Sequence, residues 1–310
     1  MIMPRSSFVN TDEVRLHYLD WGSDLARQYS PEEAVLAPED NDDVPLVMLH
    51  GLSATADTWR LAASPLCGQH NVFAFDLRGH GQSDQPDNGY DLVTITEDVI
   101  QGMAALGLGQ VALVGHGWGA RVAQVLTARH PALVSHLVLV DCPHVEPRHW
   151  PGMTRERFLR EASSEIYPSP EAFIEAIQED MSAFWSPEVA DIVMTYVREL
   201  PDGRVQERLQ ATHQRHIRES LWEDRALSYY GKLTCPVLLV PAAAEPQPDE
   251  ELPERLENVD EFAAAKGYMA KQVARTIQHC SVLWMADTTH DIQLQRPKTL
   301  AGAIGNFIKE

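Results

Sequence analysis

The stretch Val111-Ala112-Leu113-Val114-Gly115-His116-Gly117-Trp118-Gly119-Ala120 decides how this chain is read. Four apolar residues in a row suit a strand buried on both faces. From Trp118 to Ala128 the apolar residues recur at helical spacing. Glycines at 115, 117 and 119 lie where the strand gives way to the helix, so the chain turns sharply there, a bend that glycine tolerates best. The middle one, Gly117, stands where such a turn lifts a residue above the end of a sheet, and it brings no oxygen or sulfur there.

Working outward, further buried strands are read at Val44 to Leu49, Val72 to Phe75, Leu137 to Val140, Val237 to Val240 and Ser281 to Met285. Val14 to Tyr18 alternates, as a strand with one solvated face does. Between these lie helical patterns. Thr94 to Leu106 places Ile95, Val99, Ile100, Met103 and Leu106 on one face, and Thr299 to Phe307 is similar. Strands alternating with helices predict right-handed crossovers and a mostly parallel, doubly wound α/β sheet. The strand signal stops between Asp141 and Lys232. Thr154 to Ser163, Pro170 to Phe184, Pro187 to Leu200 and Arg204 to Tyr230 read as helices, broken by Pro168, Pro170, Pro187 and Pro201-Asp202-Gly203. The expected organisation is a core of residues 1–142 and 232–310 with an inserted helical cap, 143–231. Such an insertion lies over the carboxyl ends of the strands, where open α/β sheets bind ligands.

Composition narrows the partners. A formal charge of −20 over 310 residues argues against nucleic acid and anionic membranes. The acid is concentrated at 24–43 and 245–261, which read as solvated loops. No apolar run approaches the ~18 residues of a membrane span. The first residues, Met1-Ile2-Met3-Pro4-Arg5, lack a secretory pattern, so a cytoplasmic protein is expected. Cys67, Cys142, Cys235 and Cys280 have no metal or redox spacing and read as free thiols. His213 and His216 are three apart on a helix but have no third ligand nearby in sequence, so no metal is expected.

Four motifs occur in one order: His50-Gly51-Leu52-Ser53; Asp76-Leu77-Arg78-Gly79-His80-Gly81-Gln82-Ser83-Asp84; Gly115-His116-Gly117-Trp118-Gly119; and His290 past the last strand. Together they resemble the α/β-hydrolase superfamily with a cap, over about residues 12 to 308. The third has the layout of the G-x-S-x-G nucleophile elbow, with glycine in the nucleophile's place.

The resemblance implies roles. His290 would be the catalytic histidine, and imidazole suits proton transfer near neutral pH. It needs a carboxylate partner. Glu245, a few residues past the fifth buried strand, is the first choice, although the family's usual Gly and Asp are here Ala242 and Glu245. Asp141, at the end of the preceding strand, is the second, and Asp249 a distant third. The backbone N–H groups of Leu52 and Trp118 would form an oxyanion hole, and the Trp118 indole is a candidate halide donor, as in similar dehalogenases. His50, His80 and His116 read as structural.

Three functions are compatible with these residues. One is hydrolase-type chemistry on a small apolar organic molecule, at an ester, lactone, C–C or C–X bond, with Gly117 replacing an original Ser or Asp. His50-Gly51-Leu52-Ser53 looks more like the serine group of the family than the aspartate group. The second is a nucleophile-independent His–acid general base, like the superfamily's cofactor-free dioxygenases and lyases. The third is a non-catalytic small-molecule binder. None requires a metal, nucleotide or flavin.

Overall fold

The computed structural model describes residues 2–22, 44–142, 146–160, 165–248, 251–253, 256 and 258–309. The first acidic segment, 24–43, and Asp249 lie outside these residues.

Eight strands form one sheet. In chain order they are β1 (Arg5–Asn10), β2 (Arg15–Trp21), β3 (Leu46–Leu49), β4 (Val72–Phe75), β5 (Val111–His116), β6 (Val134–Val140), β10 (Val237–Val240) and β11 (Cys280–Val282). The spatial order is β1-β2-β4-β3-β5-β6-β10-β11. The pairs β1–β2 and β2–β4 are antiparallel, and all others are parallel. Alternation along the central strands divides the core into two layers. Val111 and Leu113 pack on one face with Ile95, Val99 and Met103 of α1 (Leu92–Ala105) and Val122 and Val125 of α2 (Gly117–Arg129). Ala112 and Val114 pack on the other with Trp59 and with Leu300 and Ile304 of a C-terminal helix, Pro297–Phe307. A sheet covered on both faces is why β3, β5 and β10 are buried at every residue. This is the α/β-hydrolase fold.

Some core elements depart from the sequence expectation: the last strand, read as buried over Ser281 to Met285, is the shorter edge strand Cys280–Val282, with none of its residues fully buried. Strand β1 was not anticipated. It is an edge strand with only Val9 buried, so it carries no apolar signal. Part of the second acidic segment, read as loop, opens a helix at Val259–Ala274 whose Asn258 side chain accepts from the Glu261 N–H.

The insertion between β6 and β10 also differs from a purely helical cap. Helices occupy Arg155–Arg160, Pro170–Asp180, Pro187–Val193, α3 (Ala211–Glu223) and Leu227–Tyr230. Between them β7 (Ile166–Tyr167), β8 (Val197–Glu199) and β9 (Val205–Glu207) form a small antiparallel sheet in the order β7-β9-β8. Strands of two or three residues are too short to show a period, which is why this region read as helix. The insertion has its own apolar cluster of Phe173, Val189, Val193, Val197 and Val205.

The turn after β4 holds the sheet edge to the site. The buried Asp76 carboxylate accepts from the Ala56 N–H at 2.7 Å and the Gln82 N–H at 2.9 Å, and meets His17 Nδ1 at 2.7 Å. Gly81 has φ +51°, and a Cβ there would lie 1.9 Å from Asp76 Oδ2. Gly81→Ala is therefore expected to lower stability by about 3 kcal/mol, through left-handed backbone strain and overpacking. A urea midpoint unchanged from the parent would contradict this.

Candidate active site

Strand β5 delivers the tight turn and α2 leaves it. The outer glycines are required by fit. A Cβ at Gly115 would lie 2.5 Å from Ala120 Cα, and one at Gly119 would lie 2.3 Å from the His50 carbonyl oxygen. Gly117 differs. It has φ +52°, and its missing Cβ would point at His290, 3.0 Å from Nε2 and 3.2 Å from Cε1. The nucleophile position and the base nitrogen therefore face each other, with the base against the space a side chain would fill.

His290 follows β11, and its side chain is about half exposed. Its Nδ1 lies 2.7 Å from Asp141 Oδ2. Asp141 extends β6, next to β5 in the sheet, and takes φ +38°. Positive φ at a non-glycine residue is a strained state that folds keep where a side chain must be aimed. Here it is aimed at three donors. Oδ1 accepts from the Ala242 N–H at 2.9 Å, and Oδ2 takes both His290 and Lys266 Nζ, each at 2.7 Å.

Of the two first carboxylates named from the sequence, the structure brings Asp141 and not Glu245 to His290. Glu245 is exposed, five residues beyond the last residue of β10, where the chain has turned out to solvent. Asp141 is at the strand end itself.

Electrostatics follow from these contacts. Burial would push the Asp141 carboxyl up. The hydrogen bond and charge of His290 and the Lys266 ammonium outweigh it and hold the carboxyl well below the usual carboxylate range. Partial desolvation disfavours charged His290, but the hydrogen bond and charge of Asp141 raise the ring above its ordinary value. His116 packs against it, ring centroids 4.4 Å apart, with its Nε2 on the His290 carbonyl oxygen at 2.9 Å. Burial first, and then the His290 charge, push His116 down to about 3, so it is neutral.

The Trp118 N–H lies in the first turn of α2, where helix N–H groups lack intrahelical partners, and the N-cap His116 makes no side-chain cap bond. The Trp118 indole is buried and stacks on His80 at 5.0 Å, so it packs in the core rather than lining an open halide site. His50 holds the other turn. Its Nε2 accepts from the Leu77 N–H at 3.0 Å and its Nδ1 meets the Gly51 carbonyl at 2.8 Å. The cap reaches the same turn, with Gln214 Nε2 donating to Ser53 Oγ at 3.1 Å. His213 is engaged by Tyr90, Nδ1 to the hydroxyl at 3.0 Å. Among the described residues, no group of three or more His, Cys, Asp or Glu side chains is placed to hold a metal ion, and no helix is long and apolar enough to cross a membrane.

A mainly apolar cavity of about 430 Å³ lies between cap and core, lined by Trp150, Met153, Phe158, Leu221 and Phe262, with Arg121 among its polar walls. Gly117, Leu52 and His290 do not line it. Arg121 is one turn along α2 from Gly117. Phe262 carries Lys266 Nζ 5.5 Å above its ring, which joins the cavity wall to the Asp141 cluster. Lys266 is the site residue that sequence reading missed. The signal available was the Asn258 cap followed by Val259-Asp260-Glu261-Phe262-Ala263-Ala264-Ala265-Lys266, a good helix start.

Comparison with known proteins agrees with this architecture. The family profile described as alpha/beta hydrolase fold matches residues 44–187. That match spans a little under half of the chain and agrees with the α/β-hydrolase fold described above. Over 105 residues it is 35% identical to 1-acylglycerol-3-phosphate O-acyltransferase ABHD5 of Sus scrofa, covering 33% of this chain and 30% of that protein. Over 97 residues it is 38% identical to a soluble epoxide hydrolase of Corynebacterium sp. (strain C12), covering 31% and 34%. The matches thus span about a third of these relatives' length. Among solved structures, E-2-(acetamidomethylene)succinate hydrolase superposes with a TM-score of 0.74 at 20% identity, over 99% of this chain and 100% of that one. The enol-lactonase from Burkholderia xenovorans LB400 gives 0.65 at 16% identity, over 98% and 100%.

Proposed function

We propose that this protein is an enzyme that holds a small apolar organic molecule beneath its cap and acts on it without a covalent enzyme intermediate. His290 is the general base, Asp141 orients and charges it, and the Leu52 and Trp118 N–H groups receive the oxygen anion that forms. One observation carries this reading. At Gly117 the nucleophile is missing, yet His290 Nε2 stands 3.0 Å from the point where that nucleophile's Cβ would be, with its Asp141 partner in place. A base so placed can take a proton from a water molecule as the water oxygen attacks an ester or lactone carbonyl. The same Nε2–H then returns the proton to the leaving oxygen. The hydrolase and lactonase neighbours support this class of substrate.

The test is a panel of p-nitrophenyl esters, lactones, epoxides and β-diketones, run on the parent and on His290→Ala. Parent turnover is expected to fall at least about a thousandfold in the variant. Neutral His290 is the active form and its proton affinity is raised. Turnover should therefore decline on the acid side with a midpoint above the ordinary imidazole value. Equal turnover in parent and variant would overturn the reading. Ligand binding without turnover in either would assign the chain to the binder class.

A further inference from the structure

Asp141 Oδ2 serves two donors at once, His290 Nδ1 and Lys266 Nζ, each at 2.7 Å, while Oδ1 is occupied by the Ala242 N–H at 2.9 Å. We propose that Lys266 is a positioning residue for His290: by sharing Oδ2 it fixes the ring's orientation and sets its proton affinity.

In a bare His–Asp pair, protonating the ring places a positive charge against a full anion. Here the anion already faces an ammonium. Protonating His290 adds a charge to a pair that is already neutral, and the gain is smaller. The Lys266 side chain is only 12% exposed, so its charge is poorly screened by water. The other groups around His290 are Asp291, the next residue, which favours the charged ring, and His116, which is neutral. Lys266 is thus the cation that opposes protonation in this cluster. Its consequence is a base that stays neutral, and ready, at lower pH than Asp141 alone would allow. A residue serving only to pack Val259–Ala274 against the sheet would not need an ammonium, since a methionine fills the same space at lower desolvation cost.

The inference rests on the general-base reading only for its effect on turnover. Its test needs no substrate. The His290 ring proton, assigned by its loss in His290→Ala, is titrated by NMR in the parent, Lys266→Met, Lys266→Gln and Lys266→Arg. Met and Gln are expected to raise the His290 midpoint by about one pH unit, and Arg to leave it within a few tenths. Gln keeps a donor for Oδ2 without the charge and is the milder replacement if Met does not fold. A midpoint unchanged in Lys266→Gln overturns the proposal and reduces Lys266 to a tether. A shifted midpoint in a protein that turns over nothing on the panel would uphold Lys266 and refute the proposed function.

Discussion

Asp141→Asn is expected to reduce turnover about ten-thousandfold and to lower stability by about 3 kcal/mol at neutral pH. Asparagine can still accept from the Ala242 N–H, but it cannot hold His290 as the Nδ1–H tautomer with an anion behind it, and it leaves the largely buried Lys266 ammonium without its counter-charge. The stability loss has a defined pH window. The Asp141 carboxyl titrates below its unfolded value, so its contribution is fully present above the ordinary carboxylate range. That contribution is lost as pH falls through the depressed folded value, and parent and variant should converge only in strong acid. Chemical denaturation at pH 7 and turnover of any panel substrate give the two readouts. A variant within tenfold of the parent in turnover would remove Asp141 from the mechanism and reopen the choice of acid.

Gly117→Ser should convert the site to covalent chemistry. The backbone already has φ +52°, so a side chain there costs about 1 kcal/mol, and its Cβ would press on His290 Nε2 until the ring gives by a few tenths of an ångström. The serine oxygen would then lie beside Nε2, with the uncapped first turn of α2 on its other side. The variant is expected to react with a fluorophosphonate probe at position 117, where the parent has no nucleophilic atom, and to gain about a hundredfold in p-nitrophenyl ester turnover. Adding His290→Ala should abolish both gains. Mass spectrometry locates the adduct. A folded variant left unlabelled would show that the N–H groups and His290 do not converge on that position.

How much was legible depended on the length and amphipathy of each element. The five buried strands and the helices at 94–106 and 118–128 were readable because a run such as Leu46-Val47-Met48-Leu49, covered on both faces, has few alternatives. Strand β1 was not, because Arg5, Ser6, Phe8 and Asn10 face solvent and leave no pattern. The cap strands failed for a related reason, since Val197-Arg198-Glu199 is too short to distinguish from the helical turn before it. At the site, His290 and Gly117 were placed by motif order alone. Which carboxylate meets His290 was not, because that turns on a side chain aimed by a positive φ at Asp141, and backbone sign is invisible in composition. Lys266 was hidden further, lying 125 residues from its partner in a helix whose first turn is acidic.

The cap is hydrogen-bonded to the core at the loop that carries Leu52. Thr195 Oγ1 meets Thr55 Oγ1 at 2.6 Å, Gln214 reaches Ser53, and Arg208 donates to the Gly81 carbonyl beside the Asp76 turn at 3.3 Å. Asp76 in turn holds the Ala56 N–H, so the segment 51–56 is gripped from above by the cap and from below by β4. The position of the cap and the position of that segment are therefore tied together. Anything that displaces the cap from the core must break the contacts of Thr195, Gln214 and Arg208, and with them the upper grip on that segment. A substitution that loosens the cap at Thr195 or Gln214 would thus be felt at residues 51–56 as well as in the cap itself.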